Sequence, residues 1–422
     1  MRSGTLRALR LLPVLVALLG TVVACGGGAG GDGRKSVTMW MYPLSITDQS
    51  ANQRFWADVE KRFEEQHPDV DLTVELQPWE GKDEKITTAL ASGKGPDLVL
   101  LIPDQVPQYA TTRAIQPLDD VVQPFRDDLH PGALQGATYE DKVYFVPLYQ
   151  TATLPVYNRR VLARIGVDQP PRTWSEIQQW VPRLAAEGYQ TLDYSASTTV
   201  SLNQTFYLLL WQSGGRVFAE DGGSVAFNRP EGMRALQLLV DIHRQGGIPE
   251  SQLTTVVDAN ASQYFKGRVA LNHSVTLHHA RRLQEAWGAE NVLVGPPLDN
   301  GRQLGFGLPG GLALTSGSRA PEAAKEVLRF LARPDVLAEL NQEFGYFPPR
   351  RSVQVDTSDP IAKAFADNLA LMRGPEVHPA ARQVMAKLAP QIQAALRGDK
   401  TPQQALDDAA READAEIRRA TS

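Results

Sequence analysis

The sequence predicts an α/β protein built as two lobes, and three observations predict it. From residue 36, short β-branched or aromatic runs alternate with stretches of helical spacing, as strands linked by crossover helices do. An apolar run over 143–148 halts at Tyr149, Gln150, Thr151 and Thr153, then resumes over 154–157 with no turn signal. One extended segment therefore passes from one body to another. At 422 residues the chain exceeds what one core holds, since single cores stop growing near about 250–300 residues. Two bodies joined by extended chain leave a cleft that closes on a small molecule.

In the first body, 37–41 reads as a strand, and Phe55, Val59 and Phe63 recur every four residues on one face of a helix ending near His67 and Pro68. The run 70–76 alternates as a strand with one polar face does. A short helix over 82–91 stops at Ser92 and Gly93, and the uninterrupted apolar run 98–102 is expected to be a central parallel strand. Beyond the crossing, Thr173 and Glu176 have capping-box spacing at a helix start. An apolar helix is expected over 202–212 and another over 229–245, with Met233, Leu236, Leu239 and Val240 inward and Gly246 and Gly247 closing it. Short strands follow at 269–271 and 292–294, and the stretch 311–315 then precedes a helix at 321–332. The chain after Arg350 reads as mainly helical, including 401–419, which opens on Thr-Pro. Each lobe is expected to hold a mostly parallel sheet flanked by helices.

The N-terminus reads as an export signal. Arg2, Arg7 and Arg10 precede an apolar run over 11–24 that is too short for a membrane span of roughly 17–25 residues. The run ends Val22-Val23-Ala24-Cys25, which resembles a bacterial lipobox, so Cys25 is expected to carry the lipid; plain secretion with Cys25 as a bystander is the alternative. Cys25 is the only cysteine, so no internal disulfide braces an exported chain. Residues 26–33 are nearly all glycine, a flexible tether. The formal charge is −5, and removing 1–24 takes away three arginines and no acid, leaving −8. That balance argues against nucleic acid and anionic membrane surfaces as partners.

Several short motifs carry a resemblance: GPDLV (95–99), KVYFVP (142–147) with VYN (156–158), PRTW (171–174), GGRVF (214–218), YFKGRVALN (264–272) and GDKTPQQAL (398–406). In this order and spacing the chain resembles the family 1 extracellular solute-binding proteins of ABC importers, the group containing maltose-binding protein. The resemblance implies the two-lobed type II periplasmic-binding-protein fold with three crossings, near 149–151, 292–297 and 331–335. After a signal peptide (1–24) and a lipidated tether (25–35), it implies a first lobe of 36–148 with 296–331 and a second of 152–292 with 336–422. It further implies a monomer without cofactor or catalysis, holding a carbohydrate, expected to be a di- or oligosaccharide, for a membrane permease.

Within that frame Asp104, at the carboxyl end of a buried strand, matches a sugar-binding aspartate of the family, although a helix N-cap or loop acid reads equally well. Tyr149, Gln150 and Thr151 occupy the crossing and either face the cleft or pack the hinge. Gln204 and Val275 stand where maltose-binding protein has a stacking Tyr and a Trp, so maltodextrin specificity is not implied. Tyr42, Trp79, Tyr346 and Phe347 are the remaining aromatic platforms, whereas Trp211 sits inside an apolar helix and reads as core. Asn272 and His273 end an expected strand at a family binding position. Gly310 and Gly311 would let backbone approach the ligand. Arg350 either bonds the ligand or forms a structural ion pair. Gly305 to Gly310 spells GxGxxG without the strand and helix of a dinucleotide site. His278 and His279, being adjacent, face apart and are poor metal ligands; no metal site is expected. Three rival readings stay open: the same fold binding a glycerophosphodiester, a secreted glycoside hydrolase, for which Asp104 lacks an evident second carboxylate, and a lipoprotein that binds only other proteins.

Overall fold

A computed structural model of the chain describes residues 33–45, 48–198, 200–254 and 262–421. Residues 1–24, expected to be an export signal, and Cys25 lie outside them. The chain divides into a unit ending at Arg34, of which only Gly33 and Arg34 are described, and the body Lys35–Ser422.

The body contains two principal sheets. The first runs Val70–Leu76, Lys35–Met41, Leu98–Leu101, Pro309–Leu314, Val146–Gln150. Its first three strands are parallel, and Pro309–Leu314 returns antiparallel to both neighbours. The second runs Val292–Val294, Thr153–Asn158, Val269–Thr276, Gln190–Leu192, with only the last pairing parallel. Each sheet is therefore mostly parallel in strand direction, as expected; the strand that opposes the rest, Pro309–Leu314 in the first and Thr153–Asn158 in the second, is the one that arrives from a crossing.

Burial follows sequence pattern. Leu98–Leu101 is buried on both faces. Thr153–Asn158 is fully buried because it lies between two cores: Leu154 and Val156 point to one, Tyr157 to the other, as the twofold alternation of a strand requires. Helix Phe206–Gln212 is apolar all round and buried all round, including Trp211. Thr173 caps Trp174–Ala186 by accepting from the Glu176 amide at 3.2 Å.

The passages between the lobes lie later in the chain than the resemblance implies, the first excepted. Val292–Val294 is an edge strand of the second sheet, and Leu298 and Phe306 pack in the second core, so the chain crosses back at 307–309 rather than 292–297. Helix Pro334–Phe344 packs Val336, Leu337, Leu340 and Phe344 into the first core, so the third passage follows it rather than preceding it. The three passages meet. Gln150 and Phe347 exchange backbone hydrogen bonds of 2.7 and 2.9 Å, and the Thr151 amide donates to Leu308 O at 2.9 Å.

Candidate ligand-binding site

Three parallel strands of the first sheet deliver their carboxyl ends to one place, where ligands of open α/β sheets sit. Tyr42 follows Lys35–Met41. The loop after Val70–Leu76 carries Trp79 and opens helix Lys82–Ala91, and Leu98–Leu101 leads into the turn Pro103–Gln105 with Asp104. Trp79 donates its indole N–H to Pro43 O at 2.9 Å, tying the second loop to the first. The Tyr42 and Trp79 rings lie 5.0 Å apart, and the Lys82 ammonium sits 4.6 Å from the Tyr42 centroid and 4.9 Å from that of Trp79. Trp79 keeps 41% of its surface exposed, an apolar face available to a ligand, whereas Lys82 is only 7% exposed.

The second lobe faces this cluster with Asn203 in the turn Leu202–Gln204, Tyr207 at the start of Phe206–Gln212, and Arg382 at the start of Ala381–Leu396. Asp104 accepts from Asn203 Nδ2 at 3.3 Å and from Arg382 Nη2 at 3.4 Å, with Arg382 Nε 3.3 Å from its other oxygen. Arg382 also approaches Asp83 within 3.9 Å. These bonds run between residues whose neighbours belong to different cores, so they bridge the cleft. The hydroxyls of Tyr42 and Tyr207 and the Lys82 ammonium are buried with no hydrogen-bond partner among the described residues. Burial pushes Lys82 down to about 7 and raises the Tyr42 and Tyr207 phenols above their ordinary value.

Farther along, a cavity of about 380 Å³ separates helix Pro131–Ala137 from the loops at 216–222 and 373–378. Its wall is stiffened by Glu376, which accepts from the Val217 and Phe218 amides, the Trp211 indole and Arg373 at 3.0–3.1 Å. The Gln150 side-chain amide comes within 4.0 Å of where a Cβ on Gly132, a residue lining this cavity, would stand.

Of the residues singled out from sequence, the structure brings together Tyr42, Trp79 and Asp104. Gln204 is exposed on the turn whose Asn203 reaches Asp104. The others meet neighbours within the protein, except that the Gln150 side-chain oxygen is buried with no hydrogen-bond partner among the described residues. Thr151 accepts from the Leu308 amide at 2.8 Å, and Tyr149 is buried against Tyr346 at 4.8 Å, whose hydroxyl donates to Leu44 O. Gly310 and Gly311 leave room for the Tyr149 ring and the Phe145–Val146 segment, which a Cβ at either position would meet. Asn272 donates to Asp193 at 2.7 Å, and His273 is buried between Trp174 and Tyr194. Arg350 pairs with Asp128 at 2.7 Å and donates to Ala332 O, the structural ion pair of its two readings. Lys82, Asn203, Tyr207 and Arg382 went unseen: a lysine beside Asp83 and Glu84, or an arginine opening a helix, reads as a solvated face until the fold buries it.

Aromatic faces, unpaired hydroxyls, an amide and carboxylates at a cleft are groups that hold a polyol. Residues 47–338 match the family described as bacterial extracellular solute-binding protein. The chain belongs to that family. Among solute-binding proteins it is 23% identical over 359 residues to the diacetylchitobiose-binding protein DasA of Streptomyces coelicolor, covering 81% of each chain. It superposes on the sugar-binding protein MalE of Xanthomonas citri with a TM-score of 0.79 at 20% identity, over 91% of this chain and 98% of that one. For a Thermotoga lettingae solute-binding protein bound to α-D-tagatose the TM-score is 0.78 at 22% identity, over 91% and 100%. These likenesses establish the two-lobed fold of the family.

Proposed function

We propose that this protein is the sugar-capturing component of an ABC importer, held at the outer face of the cell membrane through lipid on Cys25 and delivering its ligand, as a monomer and unchanged, to a permease. The observation that carries the reading is Asp104: buried at the cleft, bonded to Asn203 and Arg382 of the facing lobe, and next to the Tyr42–Trp79 faces. A carboxylate fixed by two donors keeps acceptor capacity for sugar hydroxyls. Only the closed arrangement presents both lobes to the ligand, so binding favours closure. The sugar-binding relatives support a carbohydrate over a glycerophosphodiester.

The test is a thermal-shift screen of mono-, di- and oligosaccharides. At a hundredfold excess over Kd a true ligand stabilises by about 2.7 kcal/mol, and Asp104→Ala removes the shift. A hydrolysis assay returns the bound sugar intact; cleavage would move the protein to the glycoside hydrolases.

A further inference from the structure

Lys82 is the least settled charge in the cleft. Its ammonium is more than nine-tenths buried and has no acceptor among the described residues. The two rings beneath it offer faces, which offset only part of the cost of a buried cation. The carboxylates nearby are engaged elsewhere: Asp104 by Asn203 and Arg382, Asp83 by the side-chain amide of Gln105 and, at 3.9 Å, by Arg382. Helix stability does not account for it either. Lys82 and Arg382 are the first and second residues of their helices, where the macrodipole disfavours cations, and neither helix has a capping side chain.

Resting on the sugar-binding reading above, we infer that the saccharide this cleft selects bears an anionic group, a carboxylate or a phosphate, seated on Lys82 beside the Tyr42 and Trp79 rings. A neutral hydroxyl would satisfy one N–H but leave the charge uncompensated. An anion does both, with the stronger charge-assisted bond. The charged groups facing Lys82 are Asp83 on its own helix, Asp104 and Arg382. Because burial already holds the ammonium near 7, an arriving anion draws a proton onto it.

The experiment is calorimetry on the full chain with four probes: diacetylchitobiose and maltotriose as neutral sugars, trigalacturonic acid for the carboxylate and glucose 6-phosphate for the phosphate. One acidic probe is expected to bind at least about tenfold tighter than the neutral sugars, with proton uptake at pH 7.5 read from two buffers of different ionisation enthalpy. Lys82→Met is expected to weaken that probe by about ten- to a hundredfold, the loss of one charge-assisted bond. Lys82→Gln, which keeps polarity and loses charge, should do nearly the same, while circular dichroism of both variants matches the parent. Neutral sugars that bind while both acidic probes fail overturn this inference and leave the sugar-binding reading standing. So does acidic binding that is indifferent to both substitutions. No binding by any probe, nor by any saccharide in the wider screen, overturns both.

Discussion

At the scale of single residues, burial decides what a titratable group does. His273 lies between Trp174 and Tyr194 with 4% of its surface exposed, and burial holds it down to about 4. Its folded value is below the ordinary 6.5, so between pH 6.5 and 4 the unfolded chain binds more protons. Stability is therefore lost as pH falls through that window, by on the order of 3 kcal/mol for this residue. His273→Leu should flatten the pH dependence of the melting temperature there by about one proton, and an unchanged slope would count against it. The residue was open to misreading because 269–271 looked like a complete strand. The strand continues to Thr276, and alternation then turns 273 and 275 inward with 269 and 271. Lys82 was hidden for the opposite reason. Its neighbours Asp83 and Glu84 look like an exposed first turn, and nothing local announces that Tyr42, forty residues earlier, covers it.

At the scale of elements, most boundaries were legible, because periodicity is a local property. The strand 70–76, the helix 82–91 and the helix opened by Thr173 lie where their patterns place them. Membership of a lobe is not local. A three-residue strand at 292–294 and an amphipathic helix at 334–344 carry no mark of which sheet or core they join. What holds the returning strand Pro309–Leu314 in place is the absence of a side chain at Gly311. A Cβ there would overlap the Val146 carbonyl oxygen and the Phe145 ring, at the register shift between Gly310 and Gly311. Neither neighbour is a flexible tip, so Gly311→Ala should cost about 1–3 kcal/mol in denaturant unfolding, the range for an overpacked core. A loss below about 0.5 kcal/mol would mean the strand shifts freely.

At the scale of the whole molecule, the two lobes meet along three passages and across the cleft, and the two kinds of contact differ in strength. The passages are knit by backbone hydrogen bonds at 150, 151, 308 and 347 and survive any relative motion of the lobes that leaves those residues together. The cleft is crossed chiefly at Asp104, with Asn203 and Arg382 as donors, and Arg382 also lies 3.9 Å from Asp83. Arg382 keeps 29% of its side chain exposed, so water competes for it and the pair is worth about 1–2 kcal/mol rather than the several expected of a fully buried one. That is five- to thirtyfold in the balance between closed and open forms. Arg382→Ala should accordingly raise the radius of gyration of the ligand-free protein in small-angle scattering while leaving its unfolding midpoint within about 1 kcal/mol, since neither core loses an apolar contact. A saturating ligand should restore the compact value, because it supplies the interlobe contacts that the arginine no longer makes. A radius unchanged by the substitution would show that the passages alone hold the lobes closed, and Asp104 would then be a ligand acid without a part in closure.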